Sequence, residues 1–350
     1  MNTQDTIRVG IIGAGTNTKA THIPKLQAID AVELVSVCNR SRESGQRVAD
    51  EFGIPVVCDS WEEILDDDSV DAVVIGTWPY MHKVLTCAAL DAGKHVLCEA
   101  RMAMNAEEAH EMWETSQFHP SQVAQIVPSP FTLRFDRTVQ QLILDGYLGE
   151  ILAVDLRQIT GAFPNFGEPM TWRQDYDLSG QNTLTMGIWY EGLARWIGHA
   201  SSVFASSRTV VNSRPHSDGQ RMTAIRVPDH LDIIARMDCG AQARMQFSAV
   251  LGLARTTSEV ALYGSEGTIV LDSGAGKLFG GRRGDEELKE IAIEPSLAGG
   301  WRVEEEFINA IRGEEEIKLT TLAEGVKYME FTEAVAASAA TGEVIPLPFD

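Results

Sequence analysis

Basic residues are in short supply in this chain: 29 Lys and Arg stand against 50 Asp and Glu, a formal charge of −21. A field of that sign repels phosphate backbones and anionic lipid, which argues against nucleic acid and membrane surfaces as partners. Cysteine is scarce too. The five thiols, Cys38, Cys58, Cys87, Cys98 and Cys239, contain no CxxC pair, and an odd number does not build a disulfide framework. They fit a reducing, cytoplasmic setting. No apolar run approaches the ~18 residues that span a bilayer, and the opening Met1–Arg8 is short and polar, so neither a membrane span nor a leader is expected. The eight histidines show no HxxxH or HExxH spacing, so no metal site is expected. Low-complexity tracts and solenoid repeats are also missing.

What is present is an ordinary globular composition, 44% hydrophobic and 23% charged, in a chain of 350 residues. That length exceeds one typical compact unit and predicts two domains. Short β-rich apolar runs occur at 7–12, 32–37, 70–75, 95–98 and 123–127. Amphipathic helical stretches lie between them at 41–52, 81–92 and 106–117. Strands alternating with helices predict a parallel sheet covered on both faces.

The pattern changes near residue 150. Strands are expected at 151–160, 203–211, 230–237, 241–250, 259–263 and 268–271, joined mostly by turns and interrupted by one helix near 182–197. This describes a largely antiparallel sheet with one face under helices and the other free for a subunit interface. Further helices are expected at 302–312 and 320–341, and a helix over 131–145 leads from one domain to the other.

Gly13-Ala14-Gly15 directly follows the first strand. A dinucleotide turn needs glycine where the chain bends tightly and where backbone amides meet a pyrophosphate. The third glycine of GxGxxG is replaced by Thr18. A plain strand-to-helix turn is the alternative. At the end of the second strand, Cys38-Asn39-Arg40-Ser41 stands where an acid would bind both ribose hydroxyls and repel a 2′-phosphate. Asn39 removes that repulsion, while Arg40 and Ser41 offer partners to a phosphate, so the pattern favours NADP over NAD. Alternatively, Ser41 caps the next helix.

Residues Val73–Glu99, VVIGTWPYMHKVLTCAALDAGKHVLCE, resemble the Gfo/Idh/MocA family of oxidoreductases. In that family a T-x-P-x-x-H turn follows the fourth strand, then a helix, then A-G-K-H-V-L-C-E-K-P. Thr77, Pro79, His82, Ala92, Gly93, Lys94, His95 and Glu99 match it. The resemblance extends over almost the whole chain through His22-Ile23-Pro24, Asp145–Glu150, Trp172-Arg173, Ala194-Arg195-Trp196 and Gly342-Glu343-Val344. It implies an α/β protein with an NAD(P)-binding Rossmann domain, 1–128. An α+β substrate and oligomerisation domain with an open, mostly antiparallel sheet would follow, 129–350, its last helix packing back on the first domain. The substrate would lie between the two. By resemblance, Gly13, Gly15, Thr16 and Asn17 meet the pyrophosphate and Asn39 and Arg40 the adenosine ribose. Thr77, Trp78, Pro79 and His82 line the middle of the cofactor, and Glu99 sits near the nicotinamide. His82 could equally tie its loop to the following helix.

The family's catalytic pattern fails in this chain. The lysine of E-K-P contacts the substrate hydroxyl, and an aspartate and a histidine one helical turn apart position the substrate and take its proton. Here Glu99-Ala100-Arg101 puts Ala100 at the lysine, and alignment of the central helix puts Thr185 at the aspartate and Trp189 at the histidine. Threonine is a poor base and indole only a donor. Trp189 offers an apolar wall, and Arg101 could grip a carboxylate, sulfonate or phosphate in a bidentate fashion, or could serve the cofactor or a structural ion pair. Arg173, in a loop before the helix, is a second candidate for an anion. Tyr190 is a candidate proton donor, although it and Glu191 point about 100° and 200° away from Trp189.

These residues fit a divergent NAD(P)-dependent oxidoreductase acting on a carbohydrate, polyol or other cyclic or carboxylated small molecule. Reduction of an activated carbonyl or imine tolerates a missing base better than alcohol oxidation does. The alternatives are a non-catalytic dinucleotide-binding regulatory subunit and an NAD-dependent enzyme of net non-redox chemistry, of the glycosidase or lyase type. The small-molecule substrate would be the principal partner, and a homodimer or homotetramer is implied by resemblance.

Overall fold

A computed structural model describes residues 6–216, 219, 221–255 and 257–349; the first five residues of the polar opening segment lie outside them. The chain divides into two compact units. One runs to Pro128 and resumes over Arg302–Val326; the other is Ser129–Trp301 with Lys327 onward.

The first unit is built on six strands: β1 (Ile7–Ile12), β2 (Val32–Cys38), β3 (Val56–Val57), β4 (Ala72–Ile75), β5 (His95–Cys98) and β6 (Ala124–Ile126). All pair in parallel, in the order β3-β2-β1-β4-β5-β6. Strand β4 is buried at every position, as a strand covered on both faces must be. Helices α1 (Ile23–Gln27), α2 (Arg42–Phe52), α3 (Trp61–Leu65), α4 (His82–Asp91) and α5 (Ala106–Phe118) connect the strands. The order reverses between β1 and β4, which opens a crevice at the carboxyl ends of these strands, where ligands of such sheets bind.

The second unit begins with α6 (Asp136–Leu144) and β7 (Ile151–Ile159), followed by α7 (Tyr176–Ser179) and α8 (Met186–Ile197). Then come β8 (Ala200–Arg208), β9 (Ser213–Pro215), β10 (Met222–Ala224), β11 (His230–Met237), β12 (Gln242–Ser248), β13 (Thr257–Gly264), β14 (Gly267–Asp272), β15 (Lys277–Arg282) and β16 (Lys289–Glu290). With β17 (Ile345–Pro346), most of them form a nine-stranded sheet, β16-β15-β14-β13-β7-β12-β11-β8-β17, antiparallel except where β12 joins β7. Alternation sorts its faces. Leu156, Ile233, Met245, Val260 and Ile269 are buried on one side. The register aligns Phe204, Ile234, Arg244, Asp155, Ala261, Val270 and Phe279 in a row on the other.

Helix α9 (Val303–Ile311) and the start of α10 (Leu322–Thr341) return to the first unit. The side chain of Gln125, on β6, donates to Glu306 at 2.7 Å and to the Leu319 carbonyl at 3.0 Å, and Ile126 N–H donates to the Thr320 carbonyl, so 302–326 is tied to the parallel sheet.

Three element boundaries differ from the sequence reading for local reasons. The helix expected from 131 begins at Asp136, after a turn whose Thr132 carbonyl accepts from both Phe135 N at 2.7 Å and Asp136 N at 3.0 Å. The helix expected from 182 begins at Met186, because Leu184 adopts a left-handed φ of 48°, which a helix cannot include. The strand expected over 203–211 runs over 200–208, because the amides of Val210 and Val211 donate to the Asp229 carboxylate at 2.8 Å rather than to a neighbouring strand.

Candidate functional site

The turn after β1 is built to leave its outer surface bare. Gly13 has φ 87°, and a Cβ there would meet Thr77 Cγ2 at 2.7 Å and Thr77 N at 2.8 Å. Only glycine lets β1 and the loop after β4 approach this closely. Its N–H donates to the Cys38 carbonyl at 2.8 Å, fastening the turn to β2. Beyond it Gly15, Thr16 and Asn17 are exposed, and a Cβ on Gly15 would meet nothing nearer than 3.7 Å. The glycines therefore differ in use, Gly13 for internal packing and Gly15 for access.

Asn39 is the organiser of the adjoining region. Its Oδ1 accepts from Ala14 N at 2.7 Å, and its Nδ2 donates to Ser44 Oγ at 3.0 Å. Arg40 is exposed and lies over the Trp78 ring at 5.7 Å. Ser41 caps α2, accepting from Ser44 N at 3.3 Å. Two clefts flank the turn. One, of about 280 Å³, brings together Gly13, Asn39, Arg40 and Thr77 with Trp61 and Tyr80. Asp59 also lines it, paired with Arg42 at 2.7 Å. The other, of about 650 Å³, is lined by Ala14, Gly15, Thr16, Lys19, Ser44 and Arg47. Exposed backbone at a glycine turn, a neutral amide where an acid would repel phosphate, and an adjacent guanidinium form a donor set that fits a dinucleotide.

His82 is fully buried at the head of α4, with Nδ1 2.8 Å from the Arg101 carbonyl and Nε2 3.1 Å from the Thr77 carbonyl. Burial lowers its pKa. It joins two loops of the site from beneath, and Pro79, also buried, opens the short 3-10 turn before it. Ala100 N–H donates to Glu99 Oε2 at 3.1 Å, and the peptide between Ala100 and Arg101 is cis. The Arg101 side chain is buried, 5% exposed. The Glu99 carboxylate also accepts from Asn17 Nδ2 and from His22, drawing the end of β5 to the glycine turn. Neither this contact nor the pairing of His22 with Glu304 was legible beforehand: His22 is visible only within its His-Ile-Pro motif, and its partner lies 282 residues away.

In the second unit, Thr185 precedes the first residue of α8, and Trp189 N–H donates to its carbonyl, so the two positions are still one turn apart. Thr185 Oγ1 donates to Gln158 Oε1 at 3.3 Å. The Trp189 ring is 2% exposed and stacks on Phe131 with centroids 4.6 Å apart. Tyr190 turns elsewhere: it stacks on Phe331 at 3.6 Å, and its oxygen accepts from Ala200 N at 2.8 Å. Arg173 lies over Trp172 at 4.3 Å. Gln158 and Phe131 were missed, the first because a polar residue in a strand carries no signal, the second because 131–135 reads as helix. Among the described residues, no group of three or more His, Cys, Asp or Glu is arranged to hold a metal ion, and no helix is long and apolar enough to cross a membrane.

Comparison with known proteins agrees with this geometry. Residues 7–125 match the model of the oxidoreductase family with an NAD-binding Rossmann fold, and residues 137–270 match the Gfo/Idh/MocA C-terminal domain. An uncharacterized oxidoreductase of Synechocystis is 25% identical over 78% of this chain and 73% of its own length. The NADP(+)-dependent D-xylose 1-dehydrogenase 2 of Haloferax volcanii is 28% identical over 68% of each chain. Among solved structures, levoglucosan dehydrogenase in complex with NADH and L-sorbose superposes with a TM-score of 0.86 at 21% identity, over 98% of this chain and 99% of that one. This last likeness shows the shared fold.

Proposed function

Since this chain belongs to the Gfo/Idh/MocA family of oxidoreductases, we propose that it transfers hydride between NADP(H) and a carbohydrate, polyol or other cyclic or carboxylated small molecule, without the family's usual Lys, Asp and His. The observation that carries this reading is the glycine turn, with Gly13 packed on Thr77, Gly15 open, and Asn39 holding Ala14 from the side. Gly15, Thr16 and Asn17 would hold the pyrophosphate, and Asn39, Arg40 and Ser41 the adenosine ribose. Thr77, Trp78, Pro79 and His82 would line the middle of the cofactor, with Glu99 and Ala100 towards its reactive end. The preference for NADP rests on a neutral Asn39 and on Arg40, whose guanidinium lies over Trp78 at 5.7 Å and would pair with a 2′-phosphate.

When bound, the nicotinamide supplies or accepts the hydride. The chain must orient the substrate and move the proton. Ala100 contributes no polar group, and Thr185, donating to Gln158, is a hydrogen-bonding group rather than a base. Reduction of a carbonyl or imine suits these residues, because the proton it needs can come from solvent oriented by a hydroxyl. Arg101 and Arg173 are assigned to substrate charge, which arginine orients without exchanging protons. Trp189 is assigned to a wall of the site, where Phe131 joins it through the ring stack, whereas the Tyr190 phenol, a candidate proton donor by sequence, is engaged with Ala200 and Phe331. The outward sheet face, with Phe204 and Ile234 40% and 49% exposed, favours a homodimer or homotetramer.

One specific feature favours a regulatory, dinucleotide-binding subunit as a second reading: at the positions that alignment assigns to the family's Lys, Asp and His, this chain carries a methyl group, a threonine bonded to Gln158 and a buried indole. Purified protein incubated with NADPH deuterated at the transferring carbon and a panel of ketoses, lactones and keto acids separates the two. Deuterium recovered on a product carbon is the expected result. Tight NADPH binding with no transfer across the panel would establish the second reading instead.

A further inference from the structure

His22 is a buried titratable group that the hydride chemistry does not use. It ends a short π-helix, Thr18–His22, and is 0% exposed. Its Nδ1 lies 2.6 Å from Glu304 Oε1 and its Nε2 3.0 Å from Glu99 Oε1. Three segments distant in sequence meet here: the helical turn after the glycine loop, the end of β5 and the first turn of α9. A carboxylate only accepts hydrogen bonds, so a ring with a carboxylate at each nitrogen must donate from both, as an imidazolium does. A neutral ring would turn one lone pair towards a carboxylate oxygen.

The network does not end at His22. Glu99 Oε1 also accepts from Asn17 Nδ2, and Asn17 Oδ1 accepts from Thr21 Oγ1 at 3.3 Å. Asn17, exposed at the glycine turn, is thereby held from both ends of its amide. We propose that His22 is a positioning residue: an imidazolium clamped by Glu304 that aims the Glu99 carboxylate at Asn17 and so presets the turn for the dinucleotide. The role deepens the dinucleotide reading given above and rests on it.

The energetics agree in sign. Burial alone would lower the His22 pKa, but hydrogen bonds to Glu304 and Glu99 and their charges raise it to about 9. Burial likewise works against ionised Glu99, yet His22, Asn17 and the Ala100 amide hold its pKa below the ordinary value. A raised histidine pKa means that the clamp is complete below pH 6.5 and is lost as pH rises through about 9. Other charges on the packed elements are engaged elsewhere: Lys19 pairs with Glu51, and Arg302 with Glu305 and Glu315, while Lys25 is exposed.

The test uses the full chain, Glu304→Gln and His22→Asn, with two readouts. In protein carrying 13C-labelled histidine and no dinucleotide, the His22 resonance should stay in the imidazolium range at neutral pH and titrate near pH 9, and it should titrate lower in Glu304→Gln. NADPH affinity, read from its fluorescence, should weaken about tenfold as pH rises through this step. Both variants should bind about tenfold more weakly at neutral pH and lack the step. A purely structural role would lower thermal stability and leave the affinity and its pH step unchanged in the folded variants, which overturns the proposal. A neutral His22 at neutral pH overturns it as well. Glu304→Gln keeps the shape of the network and carries the test if His22→Asn does not fold. If wild-type protein binds no NADPH while His22 is an imidazolium, the dinucleotide reading itself has failed, and the role assigned here falls with it.

Discussion

Replacing Arg195 with methionine is expected to lower the thermal midpoint by about 10 °C, corresponding to roughly 3–5 kcal/mol for removing one partner from a buried ion cluster. Arg195, on α8, donates to Asp136 at 2.9 Å, to Thr132 Oγ1 at 2.9 Å, to the Ser129 carbonyl at 3.2 Å and to Glu191. Asp136 and Glu191 are 7% and 6% exposed, so losing the guanidinium strands two carboxylates in the fold. They also have structural work of their own: Asp136 accepts from Trp196 Nε1 at 2.7 Å and Glu191 from Ser129 N at 2.9 Å. The cluster fixes segment 129–136, and with it Phe131 on the face of Trp189. Near-ultraviolet circular dichroism should therefore change together with the melting curve. Adding Asp136→Asn and Glu191→Gln to the methionine variant should recover more than half of the loss, because the stranded charges are then gone. If the single variant melts within about 2 °C of wild type, the cluster is not the clamp described here.

Gly13→Ala should cost dinucleotide affinity about a hundredfold, corresponding to about 3 kcal/mol of backbone strain and displacement. The added Cβ would sit 2.8 Å from the backbone nitrogen of Thr77, which cannot swing aside as a side-chain tip can, and φ 87° disfavours any L side chain. The turn must open, pulling Ala14 from Asn39. Gly15→Ala is the control within the same turn: its Cβ meets only the Gly76 carbonyl, at 3.7 Å, so the fold should tolerate it. A calorimetric titration of both variants with NADPH checks this pair. Equal affinity for Gly13→Ala and wild type would sever the turn from the ligand.

The parallel sheet was legible because β1, β2, β4, β5 and β6 lie in short apolar β-rich runs, and amphipathic helical stretches follow β2, β4 and β5. Strand β3 was not, since two residues, Val56 and Val57, carry no periodicity. Likewise α3, a helix of five residues, offers too few turns to show a face. Long alternating strands such as β11 and β12 were visible, whereas the edge strands β16 and β17, of two residues each, were not. A return towards the first unit was expected for the last helix, but the contact that ties 302–326 there, Gln125 meeting Glu306 across 181 residues, was hidden. At the candidate site, glycine spacing and the Asn39-Arg40 pair could be read directly, because backbone geometry and charge are local properties. What fixes those residues could not. Asn39 holding Ala14, His82 joining two carbonyls and Phe131 covering Trp189 are long-range contacts, and only the fold brings them together.

Calorimetry of the unmodified protein with NADPH, NADP+, NADH and NAD+ is the most direct test of whether the exposed turn residues Gly15, Thr16 and Asn17 hold a pyridine dinucleotide. Saturable heats are expected, with NADPH bound about tenfold more tightly than NADH through Arg40. Absence of heat and of any thermal shift with all four would contradict the account.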